Sequence, residues 1–198
     1  AQNPWGQPRS ARLDWTKGLP FPVPVAADVA REGRLADVEV LYWVGCAAAF
    51  DERNRRVARA FVTCLDAAGV RFAVLGQEEA CTGDPARRMG NEYVFQLLAA
   101  QNVETLRLYG PPRIVTACPH CFNTIANEYP QLGGTFEVVH HSAFLAGLLA
   151  EGRLATLGVA AAVGHCYSVV LGFAGGRAVS TSLGVMLGLY WPAGLVAF

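Results

Sequence analysis

The sequence lacks net charge, a secretory leader and the cysteine density of a disulfide scaffold. Sixteen basic side chains balance sixteen acidic ones, so electrostatics gives no reason to expect nucleic acid or an anionic membrane as a partner. The chain opens on Ala1 without a basic-then-apolar segment, and its six cysteines are sparse over 198 residues, so we expect neither a signal peptide nor structural disulfides. These absences favour a cytoplasmic, reducing setting with metal-bound or reactive thiols, in an internal piece of a longer protein.

The most informative local pattern is a short strand that runs directly into a cysteine pair and a helix. The β-branched run Ile114-Val115-Thr116 predicts a buried strand, and Pro119 suits the first turn of a helix. Cys118 and Cys121 would then lie beside unpaired backbone N–H groups and the positive end of a helix dipole. Such a setting lowers the pKa of a thiol and favours the thiolate, which binds metals or attacks disulfides.

Short apolar strands alternate with amphipathic helices along most of the chain. This order predicts an α/β fold with an open, mostly parallel sheet and helices on both faces. Strands are predicted at 38–44, 70–75, 114–116 and 136–140. Helices are predicted at 53–68, from a cap at Asp84 with Pro85 as the first helical residue to about Leu108, after Cys118, and at 142–149 with Ser142 as its cap.

We divide the chain into an extended proline-rich N-terminal arm at 1–35, a cysteine-rich domain at 36–154 and a divergent apolar tail at 155–198. Five prolines in the arm exclude a regular element, and aromatic side chains such as Trp15 are expected to dock it. From Tyr167 on, Arg177 is the only charge. The uncharged end is long enough to cross a bilayer, but Pro192 and several glycines disfavour a spanning helix.

Four of the six cysteines follow predicted strands, or lie in the loop leading from one. Because parallel strands end at the same edge of a sheet, we expect their thiols to converge there. Four thiolates in one pocket suit zinc or an iron–sulfur cluster. Cys64 lies near an apolar helix stripe and is interpreted as a core residue; Cys166 does not share the placement either. The candidate ligands are Cys46, Cys81, Cys118 and Cys121.

These residues resemble the cysteine-rich (CCG-type) domain of heterodisulfide-reductase-like iron–sulfur oxidoreductases. The motifs that carry the resemblance are Gly45-Cys46, Cys81-Thr82-Gly83 and Cys118-Pro119-His120-Cys121, and the phrases CTGDPARRMGNEYVFQ, TACPHCFNTIANEYPQLGG and VVHH are similar to a bacterial, membrane-linked branch. The resemblance covers roughly residues 3–154. It implies one [4Fe–4S] cluster on the four cysteines. It also implies electron transfer between a flavoprotein or thiol partner and the quinone pool, with possible association with the inner face of the membrane.

Two features depart from the family pattern. Thr82 stands where the family has a second adjacent cysteine, which disfavours a five-cysteine non-cubane cluster and leaves a four-thiolate cluster complete. A ferredoxin-like motif and a second cysteine-rich repeat are lacking, and the tail around Cys166 is interpreted as an incomplete repeat. We therefore expect a fragment or subunit of an iron–sulfur oxidoreductase, with other iron–sulfur or flavoprotein subunits and a membrane-bound quinone module as partners.

Other interpretations stay open at this point. The four cysteines suit a zinc site or a non-catalytic docking module, and the Cys118/Cys121 pair suits a thioredoxin-like dithiol oxidoreductase. The dithiol hypothesis needs a later proline loop facing the pair, and no suitable proline follows. Arg87-Arg88 either offset the negative charge of a cluster or lie on a solvated helix face. His120 and His140-His141 are expected near the same edge.

Overall fold

The computed structural model describes residues 2–154, in which four short strands alternate with helices. The strands and α-helices, in chain order, are α1 (Ala26–Arg31), β1 (Val40–Trp43), α2 (Gly45–Phe50), α3 (Glu52–Ala67), β2 (Phe72–Ala73), α4 (Asp84–Arg88), α5 (Glu92–Tyr109), β3 (Ile114–Thr116), α6 (Pro119–Asn123), β4 (Val138–His140) and α7 (His141–Ala150). A π-helix, Thr124–Glu128, continues α6. Short 3-10 helices lie at Arg9–Thr16, Leu35–Asp37, Gly76–Glu78 and Tyr129–Leu132.

The four strands form one sheet in the order β2-β1-β3-β4, and every neighbouring pair is parallel. The predicted α/β architecture is confirmed. The chain leaves β1 toward β2 on one side and then returns to β3 on the other side. In open α/β sheets, ligands bind at such a reversal of strand order, outside the carboxyl ends of the strands. The topology therefore marks the ends of β1 and β3 as the place for a site.

The inner strand β1 is buried on both faces: its successive side chains point in opposite directions, and each set enters a different core. Val40 and Tyr42 join a core with residues of α3 and α7. Leu41 and Trp43 join a second core with residues of α1 and α5. None of the four is more than 2% exposed. Two packed cores thus hold β1 and the segment that follows it in a fixed place.

The N-terminal arm contains regular structure, so the expectation that its prolines exclude it is wrong for Arg9–Thr16 and Ala26–Arg31. The prolines lie outside these two helices, and Pro8 stands immediately before the first. Trp15 docks the arm as expected: it is 1% exposed and its ring meets Tyr42 edge-on at 6.2 Å.

The arm also extends the sheet beyond β2. Val25 forms a parallel bridge with Val74, and the Val74 N–H donates to the carbonyl of Pro24 at 2.9 Å. The arm covers the β2 edge here, and covering is one way in which proteins prevent exposed strand edges from pairing with other chains.

The single helix predicted from Asp84 to about Leu108 is divided into α4 and α5. Gly90 has a φ of +81° between them, and Asn91 caps α5 by accepting from the N–H of Val94. The expected cap on α4 is also corrected, because Gly83 holds the cap position and Asp84 is the first helical residue. Its carboxylate is thereby available for other partners.

The last described helix, α7, begins one residue earlier than expected. His140, rather than Ser142, holds its cap position. Among the helices of residues 2–154, none combines the length and the apolar character that a membrane span needs. The expectations for the tail at 155–198, including Cys166, concern residues outside this part of the chain.

Candidate metal centre

All four candidate ligands lie at the carboxyl edge of the sheet. Cys46 is in the first turn of α2, directly after β1. Cys118 caps α6 directly after β3, and Cys121 lies one turn further on. Cys81 lies in the loop from β2 to α4. Three of the four are 7% exposed and Cys118 is half-buried, so the site is closed on one side and approachable on the other.

The four thiols contact each other in two pairs. The thiol of Cys46 hydrogen bonds to that of Cys81, and the thiol of Cys121 to that of Cys118. The absence of a side chain at Gly45 allows the two pairs to lie close together, because a methyl group on its Cα would lie 3.3 Å from Sγ of Cys121. Its φ of +78° also lies in the left-handed region that glycine tolerates. Any larger residue at position 45 would press on the second pair.

The fifth cysteine of the described part does not belong to this group. Cys64 is 5% exposed and packs in the core beneath α3, among apolar neighbours. The structure thus separates the four cysteines that follow strands from the one on a helix stripe, as the sequence pattern predicted.

Each thiol pair contains one group with a lowered pKa. A hydrogen bond from the Cys121 thiol, supported by the N–H groups of Cys121 and His120, lowers the pKa of Cys118 to about 6. A hydrogen bond from the Cys46 thiol, supported by the N–H of Gly83, lowers the pKa of Cys81 to about 7. Donating these bonds raises the pKa of Cys46 and of Cys121, and burial adds to both shifts. Each pair therefore offers a thiolate near neutral pH, the form that binds metals.

A buried carboxylate that the sequence did not reveal holds the turn between β1 and α2. Glu79 is 2% exposed and accepts hydrogen bonds from the N–H groups of Val44 at 2.9 Å and Gly45 at 2.8 Å. It also pairs with Arg12 at 2.6 Å. Because these N–H groups are buried, losing the carboxylate as their acceptor would cost free energy. The carboxylate therefore fixes the backbone that carries Cys46.

Asn102 and Tyr129 hold the loop that carries Cys81. The Asn102 amide donates to the carbonyl of Cys81 at 2.9 Å and to the Tyr129 hydroxyl at 3.0 Å. The hydroxyl in turn donates to the carbonyl of Thr82 at 3.1 Å. A signal for this network is present in the sequence, because Asn102 is a polar residue on the apolar stripe of α5 that also includes Ala99.

The two arginines after the Cys81 loop bind carboxylates. Arg87 pairs with Glu128 at 2.9 Å, and Arg88 pairs with Asp84 at 2.9 Å. The other oxygen of Asp84 lies 3.1 Å from Nδ1 of His120, which is 74% exposed at its side chain. These groups form a charged border next to Cys118, between the buried thiols and solvent.

The two histidines at the end of β4 and the start of α7 lie near α6, which carries Cys121. The ring of His140 meets Phe122 of α6 edge-on at 6.3 Å, and its Nδ1 lies 2.8 Å from the Ser142 hydroxyl. The ring of His141 packs against Phe61. Burial, and then the charge of His140, lower the pKa of His141 to about 4, so it is neutral at physiological pH.

Fold and site together define a parallel α/β domain with a cysteine site at the switch point of its sheet, which is the place between β1 and β3 where the strand order reverses. Residues 40–126 match the family model described as "Cysteine-rich domain" (CCG). This part of the chain belongs to the cysteine-rich CCG family, as the resemblance of its motifs predicted.

Three relatives illustrate the family. The chain is 44% identical over 154 residues to the EtfAB:quinone oxidoreductase of Syntrophomonas wolfei. It is 40% identical over 153 residues to the probable iron-sulfur-binding oxidoreductase FadF of Bacillus subtilis. It is 34% identical over 160 residues to one subunit of the dihydromethanophenazine:CoB–CoM heterodisulfide reductase of Methanosarcina mazei. Each match covers 77% of this chain, but the chain spans only 21% of the first two proteins and 35% of the third. No solved structure matches it.

A second family model, described as "Glycerol-3-phosphate acyltransferase", matches residues 132–198. Within the described part of this segment, β4 pairs in parallel with β3 and α7 packs on the core beneath α3, so 132–154 is joined to the cysteine-rich unit. Residues 155–198 lie outside the described part. The interpretation of that tail as an incomplete second repeat stays a prediction beside this match.

An iron–sulfur cluster, which the family implies, fits the donor set of this edge. Four thiols suit the four irons of a [4Fe–4S] cluster, in which each thiolate binds a different iron. In residues 2–154 no three His, Cys, Asp or Glu side chains converge on a single ion position; a cluster does not require them to. Next to Cys46, the buried Nε of Arg12 is a donor without a partner in this part of the chain, as suits a site for an anionic group with sulfur acceptors.

Proposed function

We propose that residues 36–154 form an electron-transfer domain of an iron–sulfur oxidoreductase and bind one [4Fe–4S] cluster through Cys46, Cys81, Cys118 and Cys121. The observation that carries this proposal is the meeting of two thiol pairs, from loops far apart in the sequence, at the switch point of the sheet. A cysteine-rich family match and a relative named as iron-sulfur-binding support it.

A bound cluster of this kind supplies one-electron transfer. The chain would hold the four cysteines in position and provide the surroundings of the cluster. Glu79 holds the turn with Cys46, and Asn102 holds the loop with Cys81. Burial of three of the four thiols keeps water away, and burial and hydrogen bonding are among the factors that set a cluster's reduction potential.

We propose that electrons enter and leave on the Cys118 side, where the site comes nearest to solvent. Cys118 is the only half-buried thiol of the four, and His120 beside it is mostly exposed. Relatives named for EtfAB, quinone and a heterodisulfide support a flavoprotein or thiol partner and the quinone pool as the two ends of the transfer. The partners would then be other iron–sulfur or flavoprotein subunits and a membrane-bound quinone module.

The experiment is anaerobic purification of the full chain, followed by iron and sulfide analysis and a redox titration. We expect about four irons and four sulfides per chain and a reversible one-electron signal. Iron that neither takes up nor releases an electron would assign a structural or docking role instead. Zinc in place of iron would contradict the proposal.

A second candidate function is dithiol exchange at the Cys118–Cys121 pair. It is favoured by the lowered pKa of the half-buried Cys118 and by its hydrogen bond to Cys121. Metal-free protein that reduces the disulfides of insulin, and loses this activity in Cys118→Ser, would establish this function. A metal-free protein without such activity would exclude it.

A further inference from the structure

One charged side chain reaches the thiols from outside the cysteine-rich motifs. Arg12 comes from the 3-10 helix of the N-terminal arm and is 3% exposed. Both terminal nitrogens of its guanidinium lie 3.7 Å from Sγ of Cys46. One of them also pairs with Glu79 at 2.6 Å. The arm thus places a buried cation in direct contact with one candidate ligand.

The hydrogen-bonding capacity of Arg12 is only partly used by these partners. Nε is buried and has no partner within residues 2–154. In the contacts with Cys46, the acceptor is the sulfur of a thiol. A thiol sulfur is a weak acceptor, whereas a charged sulfur accepts much more strongly. Arg12 is therefore placed to donate to a more negative group at this position than a neutral thiol.

The arm is held firmly enough to keep Arg12 in place. Trp15 is buried one turn further on, and its carbonyl accepts from Nε of Arg59 in α3 at 2.7 Å. At the start of the arm, the carbonyl of Gln2 accepts from the N–H of Cys81 at 2.9 Å. Contacts on both sides of Arg12 fix its distance from the site.

On the basis of the proposed function, we infer that Arg12 is a positioning residue that stabilises the reduced form of the cluster and so raises its reduction potential. Reduction adds one negative charge, and a cation at short range in a buried, weakly screened setting favours the more negative state. Arg12 also orients the Cys46 turn through Glu79, but the potential depends on its charge.

The test is a redox titration of the loaded full chain and its variants, with iron content measured in parallel. Arg12→Gln should retain iron and titrate at a more negative potential, and Arg12→Lys should stay close to the unchanged chain. Arg59→Gln is the matched control, because it removes a contact of the arm and leaves the charge beside Cys46; its potential should not move.

A second pair of variants covers the case in which Arg12→Gln leaves Glu79 unpaired and the protein unstable. Glu79→Gln and the double variant Arg12→Gln/Glu79→Gln differ only in the charge at position 12, and the double variant should titrate at the more negative potential. The inference would be overturned, and the proposed function left intact, if Arg12→Gln had the same potential as the unchanged chain and the double variant had the same potential as Glu79→Gln. Loss of iron from every variant at position 12, lysine included, would have the same meaning. Absence of iron from the unchanged chain would overturn both.

Discussion

The two halves of the thiol site are held in place in different ways. Cys118 and Cys121 depend on neighbours in sequence: β3 ends at Thr116, whose hydroxyl accepts from the N–H of Cys118 at 3.3 Å, and Pro119 starts α6. Cys46 and Cys81 depend on side chains from the arm, from α5 and from the loop after β2. The first half is specified by a short motif, whereas the second requires the whole domain to be folded.

The strongest test of this difference is the removal of Glu79. Glu79→Ala leaves Arg12 and two buried N–H donors without their acceptor, so we expect a loss of about 3–5 kcal/mol in the free energy of unfolding. Urea denaturation of the metal-free chain measures it. Glu78→Ala, at the exposed neighbouring residue, should change little. Similar small effects for both variants would show that the Cys46 half is not held by this carboxylate.

A second test separates strain from close packing beside Cys81. Gly83 and Gly90 both have a positive φ, so alanine at either should cost about 1–2 kcal/mol. A methyl group at Gly83 would also lie 2.8 Å from the Phe95 ring, whereas nothing lies within 4 Å at Gly90. We expect Gly83→Ala to cost about 1–3 kcal/mol more. Equal unfolding free energies for the two variants would contradict the packing argument.

The hydrogen bond from Tyr129 to the Cys81 loop should contribute less. Tyr129→Phe removes the donor to Thr82 and the acceptor for Asn102, with an expected loss of about 1–2 kcal/mol. Tyr93→Phe is the matched control, because Tyr93 is 74% exposed. A loss in the control as large as in Tyr129→Phe would assign the effect to the substitution rather than to the loop.

The smallest expected effect concerns pH at the border of the Cys118 half. Because burial and His140 lower the pKa of His141 from 6.5 to about 4 in the folded chain, the unfolded state binds more protons between these values. Stability should therefore fall as the pH drops below 6.5, and His141→Asn should make this fall shallower. Urea midpoints at pH 7.5 and 5.5, measured for the metal-free unchanged chain and for His141→Asn, give the fall in stability of each protein. An identical fall in both proteins would exclude His141 as a source.

The same difference between the halves explains what the sequence predicted. The strand Ile114–Thr116 and the helix start at Pro119 were found with their observed bounds, since local pattern determines both. The placement of the four cysteines at one edge could be predicted because parallel strands end at the same edge of a sheet, and their role as ligands stays a prediction. Arg12 and Glu79 were missed, since their roles arise only when the arm and the loop after β2 meet.

The arginine pair shows a further limit of local patterns. Arg87 and Arg88 were placed near the Cys81 loop, but their shared partner Glu128 comes from packing of α4 against the π-helix, whereas Asp84 lies one turn before Arg88 in α4 itself. The helix break at Gly90 was also missed, because one glycine in a long helical pattern does not by itself end a helix.

The most direct test of the four-cysteine cluster site is metal analysis of the unchanged chain beside single cysteine variants, all purified anaerobically. We predict about four irons per chain for the unchanged protein and for Cys64→Ala, and severe loss of iron for serine at position 46, 81, 118 or 121. An unchanged protein without iron, or an equal loss from Cys64→Ala and Cys118→Ser, would contradict this assignment.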